Sequence, residues 1–319
     1  MIKPVMQWES RIGRRLRLRD LHILFAVVQC GSMAKAAANL GISQPSVSEA
    51  LADLEHTVGV RLLDRSSQGV TPTAYGEALL HRSRAAFDEL RQGIRDIEFL
   101  ADPAAGELRI ACTETLTAGF LPAVIDRLSH RYPRMVFHVI QASTVSHEFR
   151  ELRERRVDVA LARLLRPLAE TDLESETLFH DPSFVVAGAR HPLTRRRKIK
   201  FAELANERWI AIPTDNLASS FVEEAFQASG LGLPNPTVAT YSTQMRFHLL
   251  ANGSYLTTLP ASVLRFNSEY FSLKVLPVDM PAPPRPIAVV TLKHRTLSPV
   301  AKLFIECARD VAKPLMKNQ

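Results

Sequence analysis

Gln44, Pro45, Ser46, Ser48 and Glu49 open a helical segment, and most of them are side-chain types that read base edges. Gln pairs bidentately with adenine, Ser bonds to either class of base, and a Pro ring packs on a thymine methyl. Gln44, Ser46, Ser48 and Glu49, with Asp53, fall off the apolar stripe of Val47, Ala50, Leu51, Leu54 and Val58, so they face away from a core. Glu49 is the discordant member, because an acid beside DNA must accept from a cytosine amino group or turn away. Other chemistries find little support. Cys30, Cys112 and Cys307 lie far apart with no CxxC and no His at zinc-ligand spacing, which argues for a reducing compartment and against a disulfide scaffold. A redox role for Cys112 lacks a neighbouring resolving cysteine, so a small buried side chain is expected there. The ten histidines show no HExxH or comparable spacing, so no metal is expected. No Ser/His/Asp set, GxSxG elbow or Gly-rich phosphate loop is present, so neither an enzyme nor a cofactor is expected.

The elements that hold the polar face are legible from period and punctuation. Leu18, Leu21, Leu24, Phe25 and Val28 recur at helical spacing, and Gly31-Ser32 interrupts them. Ser32 is placed to cap an Ala-rich helix over Met33–Leu40, and Gly41 supplies the turn. Ser43 caps the next helix, which tolerates Pro45 in its first turn and runs to about Val58 before Gly59. Two helices joined by a short Gly-containing turn form a helix-turn-helix whose second member enters the major groove. Val60 to Leu63 and Val70 to Pro72 flank a turn at Ser66–Gly69 and read as a wing. A long one-sided helix from Thr73 to about Leu100 then needs a partner, and Asp102-Pro103-Ala104-Ala105-Gly106 breaks it.

The chain has 319 residues, enough for two domains, and 46% apolar with 23% charged residues exclude a disordered, collagenous or coiled-coil protein. No apolar run approaches the ~18 residues of a membrane span. A formal charge of +7 raises the prior for an anionic partner, nucleic acid first. Lys3, Arg11, Arg14, Arg15, Arg17 and Arg19 make the N-terminal arm basic, whereas Arg195-Arg196-Arg197-Lys198 reads as a solvated loop. The arginines before Leu21–Val28 imitate an export signal, but Asp20 and His22 interrupt it, so a cytoplasmic protein is expected.

From Glu107 onward short strands alternate with helices. Strands are expected at Leu108–Cys112, Met135–Ile140, Val157–Ala162, Ser183–Ala187, Trp209–Ile212, Thr237–Thr240, Tyr255–Leu259 and Ile287–Leu292. Helices are expected at Ala118–Tyr132, Val145–Arg155, Ser219–Ser229, Ser242–Ala251 and Pro299–Ala312. That alternation predicts parallel α/β sheets.

Residues 18 to 76 resemble the winged helix-turn-helix of the LysR-type transcriptional regulators. The resemblance is carried by Leu21 and Phe25, Gly31-Ser32, Ala36-Ala37, Leu40, Ser43 to Ser48, Leu54-Glu55, Gly59, Leu62-Leu63, Arg65, Thr71-Pro72-Thr73 and Gly76. It continues more loosely through Phe120-Leu121-Pro122, Tyr132-Pro133, Val157 to Ala160, His191-Pro192-Leu193, Trp209-Ile210 and Leu259-Pro260. It implies an α/β protein with an all-α, winged helix-turn-helix N-terminal domain, a long linker helix and a two-lobed, Rossmann-like effector-binding domain. The bounds expected are 16–75 (helix-turn-helix about 32–52), 73–102 for the dimerising linker, and 107–315 for the effector domain. Lobe I would take 107–163 and 269–315 and lobe II 164–268, with crossings near Arg163 and residues 263–270.

The resemblance also places candidate sites. DNA contacts are expected from Ser32, Gln44, Pro45, Ser46, Ser48 and Glu49, with Arg65 and Thr73 on phosphates. Effector sits between the lobes, where Thr113, Thr115, Ser143, Thr144, Thr214 and Ser242 supply hydroxyls and helix N–H groups suited to an anion. Arg163 is the expected counter-charge, and Glu114 would repel an anion unless paired. The partners implied are double-stranded promoter DNA, a small effector with organic acids among the candidates, further copies in a dimer or tetramer, and RNA polymerase. A periplasmic-type solute-binding protein and a DNA-binding protein without ligand control are the alternatives.

Overall fold

The computed structural model describes residues 15–66, 69–142, 149–165, 167–213, 221–234 and 236–316. Two compact units result, Met1–Arg91 and Gln92–Gln319. In the first, α1 (Leu18–Cys30), α2 (Met33–Leu40) and α3 (Gln44–Val58) precede the antiparallel strands β1 (Leu63–Ser66) and β2 (Gly69–Pro72), and α4 (Ala74–Ala101) begins. Leu24, Val27, Ala36 and Val47 are fully buried with Leu51 and Leu54, so the predicted stripe is the core. Gly41 closes α2 in the left-handed region, at φ 65°, with the Ile42 N–H bonded back to Ala37 O.

The wing starts later than its apolar residues suggest. Glu55 near the end of α3 accepts the Leu62 and Leu63 N–H groups at 2.7 and 3.2 Å, so those donors serve the helix and pairing begins at Leu63 opposite Pro72. Thr73 donates to Arg61 O at 2.8 Å and accepts from Gly76 N at 3.1 Å, which seats the start of α4. A Cβ at Gly76 would stand 2.1 Å from Leu62 O, so only glycine permits this approach.

The second unit follows with β3 (Ala105–Cys112), α5 (Glu114–Thr117), α6 (Phe120–Arg131), β4 (Arg134–Gln141), α7 (Arg150–Arg153), β5 (Val159–Arg163) and β6 (Leu173–Asp181). It crosses to β7 (Ser183–Gly188), β8 (Trp209–Ala211), α8 (Phe221–Ala228), β9 (Pro236–Ala239), α9 (Thr243–Ala251), β10 (Leu256–Pro260), α10 (Ala261–Asn267) and β11 (Leu273–Val275). It returns through β12 (Arg285–Leu292) to α11 (Pro299–Met316). Lobe I is the sheet β4-β3-β5-β12-β6, with Leu108, Phe120, Ile287 and Phe304 at its core. Lobe II is the sheet β11-β7-β10-β8-β9, in which Trp209 is buried and spends its indole N–H on Leu204 O at 2.8 Å.

Three expectations are corrected. Both sheets are mixed rather than parallel, since β12 runs antiparallel to β5 and β6, and β7 antiparallel to β10 and β11. The crossings fall at Pro182 and between Val275 and Arg285, not near Arg163 and residues 263–270, because β6 is paired to β12 in lobe I and β11 to β7 in lobe II. Of the helix expected at Val145–Arg155, only Arg150–Arg153 is seen, and residues 145–148 lie outside the described residues. The last turns of α4 belong to lobe I. Asp158, buried, accepts from Arg295 Nη2 at 2.8 Å, Arg109 N at 2.9 Å and Arg95 Nη1 at 3.4 Å, and Phe99 packs on the lobe I core.

Asp181 sits at the first crossing, fully buried. It accepts from Arg163 Nη2 at 2.6 Å, Ser262 Oγ at 2.6 Å and Ser262 N at 3.1 Å, joining β5 to α10 of the other lobe. Asp181→Ala removes the carboxylate that answers the buried Arg163 cation and is expected to lower stability by about 3–5 kcal/mol in urea unfolding. Arg163→Met combined with Asp181→Leu should be the less destabilised protein; the opposite order would mean the pair is not what holds the crossing.

Candidate DNA interface and effector cleft

The DNA-reading face is built on the start of α3. Ser43, in extended backbone, accepts the Ser46 N–H at 3.3 Å, and the two hydroxyls lie 2.8 Å apart. The cap fixes the first turn, whose remaining N–H groups and dipole favour phosphate. Gln44, Pro45, Glu49 and Asp53 are exposed and Ser46 and Ser48 half-buried, all on the side opposite Val47, Leu51 and Leu54. Ser32 holds the N-cap position of α2, but its hydroxyl makes no capping bond. Arg65 is exposed on β1. Thr73 differs from the expectation of a phosphate contact, because its hydroxyl already donates to Arg61 O and accepts from Gly76. Arg15, Arg17 and Arg19 are exposed around the start of α1; the rest of the predicted basic arm lies outside the described residues.

The structure brings some predicted effector residues together and disperses others. Thr113 follows β3 as the N-cap residue of α5; it is 4% exposed, and its hydroxyl has no hydrogen-bond partner among the described residues. Thr115 is half-buried on α5. Across the cleft, Ser242 accepts the Met245 N–H at 3.2 Å, so its oxygen serves as the cap of α9. The two walls meet directly, because the Glu114 carboxylate accepts a short hydrogen bond from the Thr243 N–H at the first residue of α9. Ser143, Thr144 and Thr214 lie outside the described residues.

Arg163 is corrected as the counter-charge. Its guanidinium is buried against Asp181, so its charge is answered inside the fold. Sequence reasoning missed Arg246, which is 1% exposed on α9. A signal was present: Arg246 occupies the buried face with Thr243, Phe247 and Leu250 at helical spacing, where a cation is out of place. Burial lowers its pKa to about 10, with Glu114 pulling the other way. Cys112 and Cys307 both lie in the lobe I core, and burial pushes both thiols up, away from the reactive thiolate. No helix among the described residues is long and apolar enough to cross a membrane.

A winged helix-turn-helix followed by a two-lobed α/β domain defines a ligand-binding DNA regulator by architecture. Comparison with known proteins gives the family. The model of the bacterial regulatory helix-turn-helix proteins of the lysR family matches residues 18–77, and the LysR substrate binding domain matches residues 101–313. The HTH-type transcriptional regulator YdcI of Escherichia coli K12 is 26% identical over 306 residues, covering 95% of this chain and 98% of its own. Among solved structures, CbnR complexed with its target DNA is 21% identical at a TM-score of 0.63, covering 93% of this chain and 100% of its own. A full-length OxyR variant from Pseudomonas aeruginosa is 22% identical at a TM-score of 0.63, covering 93% of this chain and 95% of its own. The chain belongs to the LysR family: it is a DNA-binding transcriptional regulator with a substrate-binding domain, not an enzyme.

Gln44→Ala and Ser48→Ala should each weaken binding to specific DNA by about 1–3 kcal/mol while unfolding midpoints stay put, because both side chains lie off the core stripe. Fluorescence anisotropy against operator and scrambled duplexes measures this, and unchanged operator affinity would remove the residue from the reading surface.

Proposed function

We propose that this regulator controls promoter DNA through a small anionic effector, an organic acid by class, held between lobes I and II. The reading rests on the meeting of the β3–α5 junction with the start of α9, where the buried Thr113 hydroxyl has no hydrogen-bond partner among the described residues and the Thr243 N–H is given to a carboxylate, that of Glu114. Thr115 borders the same junction. Ser143, Thr144 and Thr214 remain proposed lining groups. An effector acts only by favouring one lobe or subunit arrangement over another. The reader helix of each copy enters the major groove, with Gln44, Pro45, Ser46, Ser48 and Glu49 at the bases and Ser32 and Arg65 on the backbone.

The working unit is a homo-oligomer, dimer or tetramer, in the cytoplasm, and RNA polymerase is the machinery it recruits. Support for the oligomer comes from α4. Leu90, Ile94, Ile97 and Leu100 repeat at helical spacing and are 51%, 59%, 68% and 79% exposed, an apolar stripe that a second copy would cover.

Two outcomes are expected. Thr115→Val should keep wild-type operator affinity while losing most of the response to an activating organic acid, read as anisotropy of DNA from upstream of the protein's own gene across a salt series; a normal response would move the site elsewhere. Ile94→Glu with Ile97→Glu should convert the oligomer to smaller species by sedimentation and reduce operator affinity by more than about tenfold, since two half-sites would no longer be linked. An unchanged sedimentation coefficient would remove the stripe from the interface.

A further inference from the structure

Each of the other deeply buried arginines named above has a carboxylate as its partner. Arg163 meets Asp181 at 2.6 Å and Arg295 meets Asp158 at 2.8 Å. Arg246 differs. Its Nη2 donates to Thr243 Oγ1 at 2.9 Å and its Nη1 to Thr258 O at 3.3 Å, both neutral acceptors, while Nε–H has no partner among the described residues. A guanidinium carries five N–H donors and a full charge, and burying it with neutral acceptors alone is unfavourable. The carboxylate that acts on it electrostatically comes from the opposite lobe: Glu114, which takes the Thr243 N–H. Thr243 is the shared member, giving its N–H to Glu114 and its hydroxyl to Arg246. Beside Glu114 in the chain, the buried Thr113 hydroxyl also lacks a partner among the described residues.

We infer that the start of α9 is a carboxylate site, that Arg246 is the effector's counter-charge, and that Glu114 is a resident carboxylate holding the effector's place. This rests on the effector-cleft reading above and deepens it. An effector carboxylate brings two oxygens, one for the Thr243 N–H and one for the Arg246 Nε–H. It therefore satisfies a donor that Glu114 leaves unpaired. Displacing Glu114 also breaks a hydrogen bond that ties α5 of lobe I to α9 of lobe II. The bonds of Asp181 to Ser262 and of Asn267 to Ala118 O remain as the fixed side of the cleft. Effector specificity then follows: the ligand must carry a carboxylate that outcompetes a tethered one, which disfavours neutral ligands. Glu114 and the effector carboxylate exclude one another by like-charge repulsion.

The test uses the full-length protein and formate as probe. Glu114→Ala empties the place of the side chain, so formate should rescue it: a saturable rise in Tm of about 3 °C, absent with sodium chloride at equal ionic strength. Wild type, whose site is filled, should show no such rise, and in Glu114→Ala the apparent formate affinity should fall by about tenfold or more when Arg246→Gln is added. If that double variant does not fold, Arg246→Lys keeps the charge without the Nε–H and should weaken formate several-fold. No formate effect in Glu114→Ala, an equal effect in wild type, or an effect indifferent to Arg246 would overturn the assignment and make the Glu114–Thr243 bond a plain interlobe clasp. Operator anisotropy on the same samples keeps the two readings apart. Operator binding that responds to an organic acid in wild type, alongside no formate rescue, would sink the Glu114–Arg246 site alone; absence of both would sink the effector reading with it.

Discussion

A buried carboxylate at a chain crossing is the constraint on which the effector domain depends. The polypeptide passes between the lobes at Pro182 and again between Val275 and Arg285, and two sheets so connected can hinge unless something fixes the angle. Asp181 does this by placing one charge where β5 of lobe I and α10 of lobe II both reach it. Partnership costs Arg163 its availability for any ligand. Close backbone approach then seats the lobes on this side, since a Cβ on Gly119 would stand 2.7 Å from Ser262 O and Asn267 bonds to Ala118 O. On the far side α5 meets α9 through the hydrogen bond from the Thr243 N–H to the Glu114 carboxylate.

The DNA-binding unit solves a different problem with the same economy. Its core is made of short or branched apolar residues at helical spacing, so α3 can be packed on one face while its opposite face stays polar. Caps decide the rest: Ser43 fixes the first turn of the reader helix, Glu55 takes two N–H groups that would otherwise extend the wing, and Thr73 starts α4. A hydroxyl committed in this way is lost to phosphate binding, which separates Thr73 from Ser32.

Much of this is legible in the chain itself. The helices of the first unit follow from apolar periodicity and from Ser and Gly at their ends, which are local signals read within a few residues. Most strands of the second unit show as short apolar runs. β6 does not, because Leu-Glu-Ser-Glu-Thr-Leu-Phe-His-Asp is an edge strand whose exposed positions carry charge. β11, three residues long, offers no period to detect. Without those two strands the chain reads as parallel sheets with both crossings misplaced, since β6 and β11 are the strands that carry the chain up to each crossing.

The site divides along the same line. Residue type and spacing alone determined a reader helix with Gln44, Ser46 and Ser48 on its open face, because burial of the other face is a property of one helix's own sequence. They also determined that hydroxyls gather at Thr113 and Thr115. Which buried arginine has a carboxylate in direct contact was decided only by tertiary structure. Arg163 and Arg246 look equally available in a linear chain. Their difference lies in what folding brings beside them, Asp181 in direct contact for one and Glu114 of the opposite lobe for the other. Only folding sets a carboxylate against the first guanidinium and leaves the second with neutral acceptors, because the energy of a buried charge is fixed by what lies around it in space.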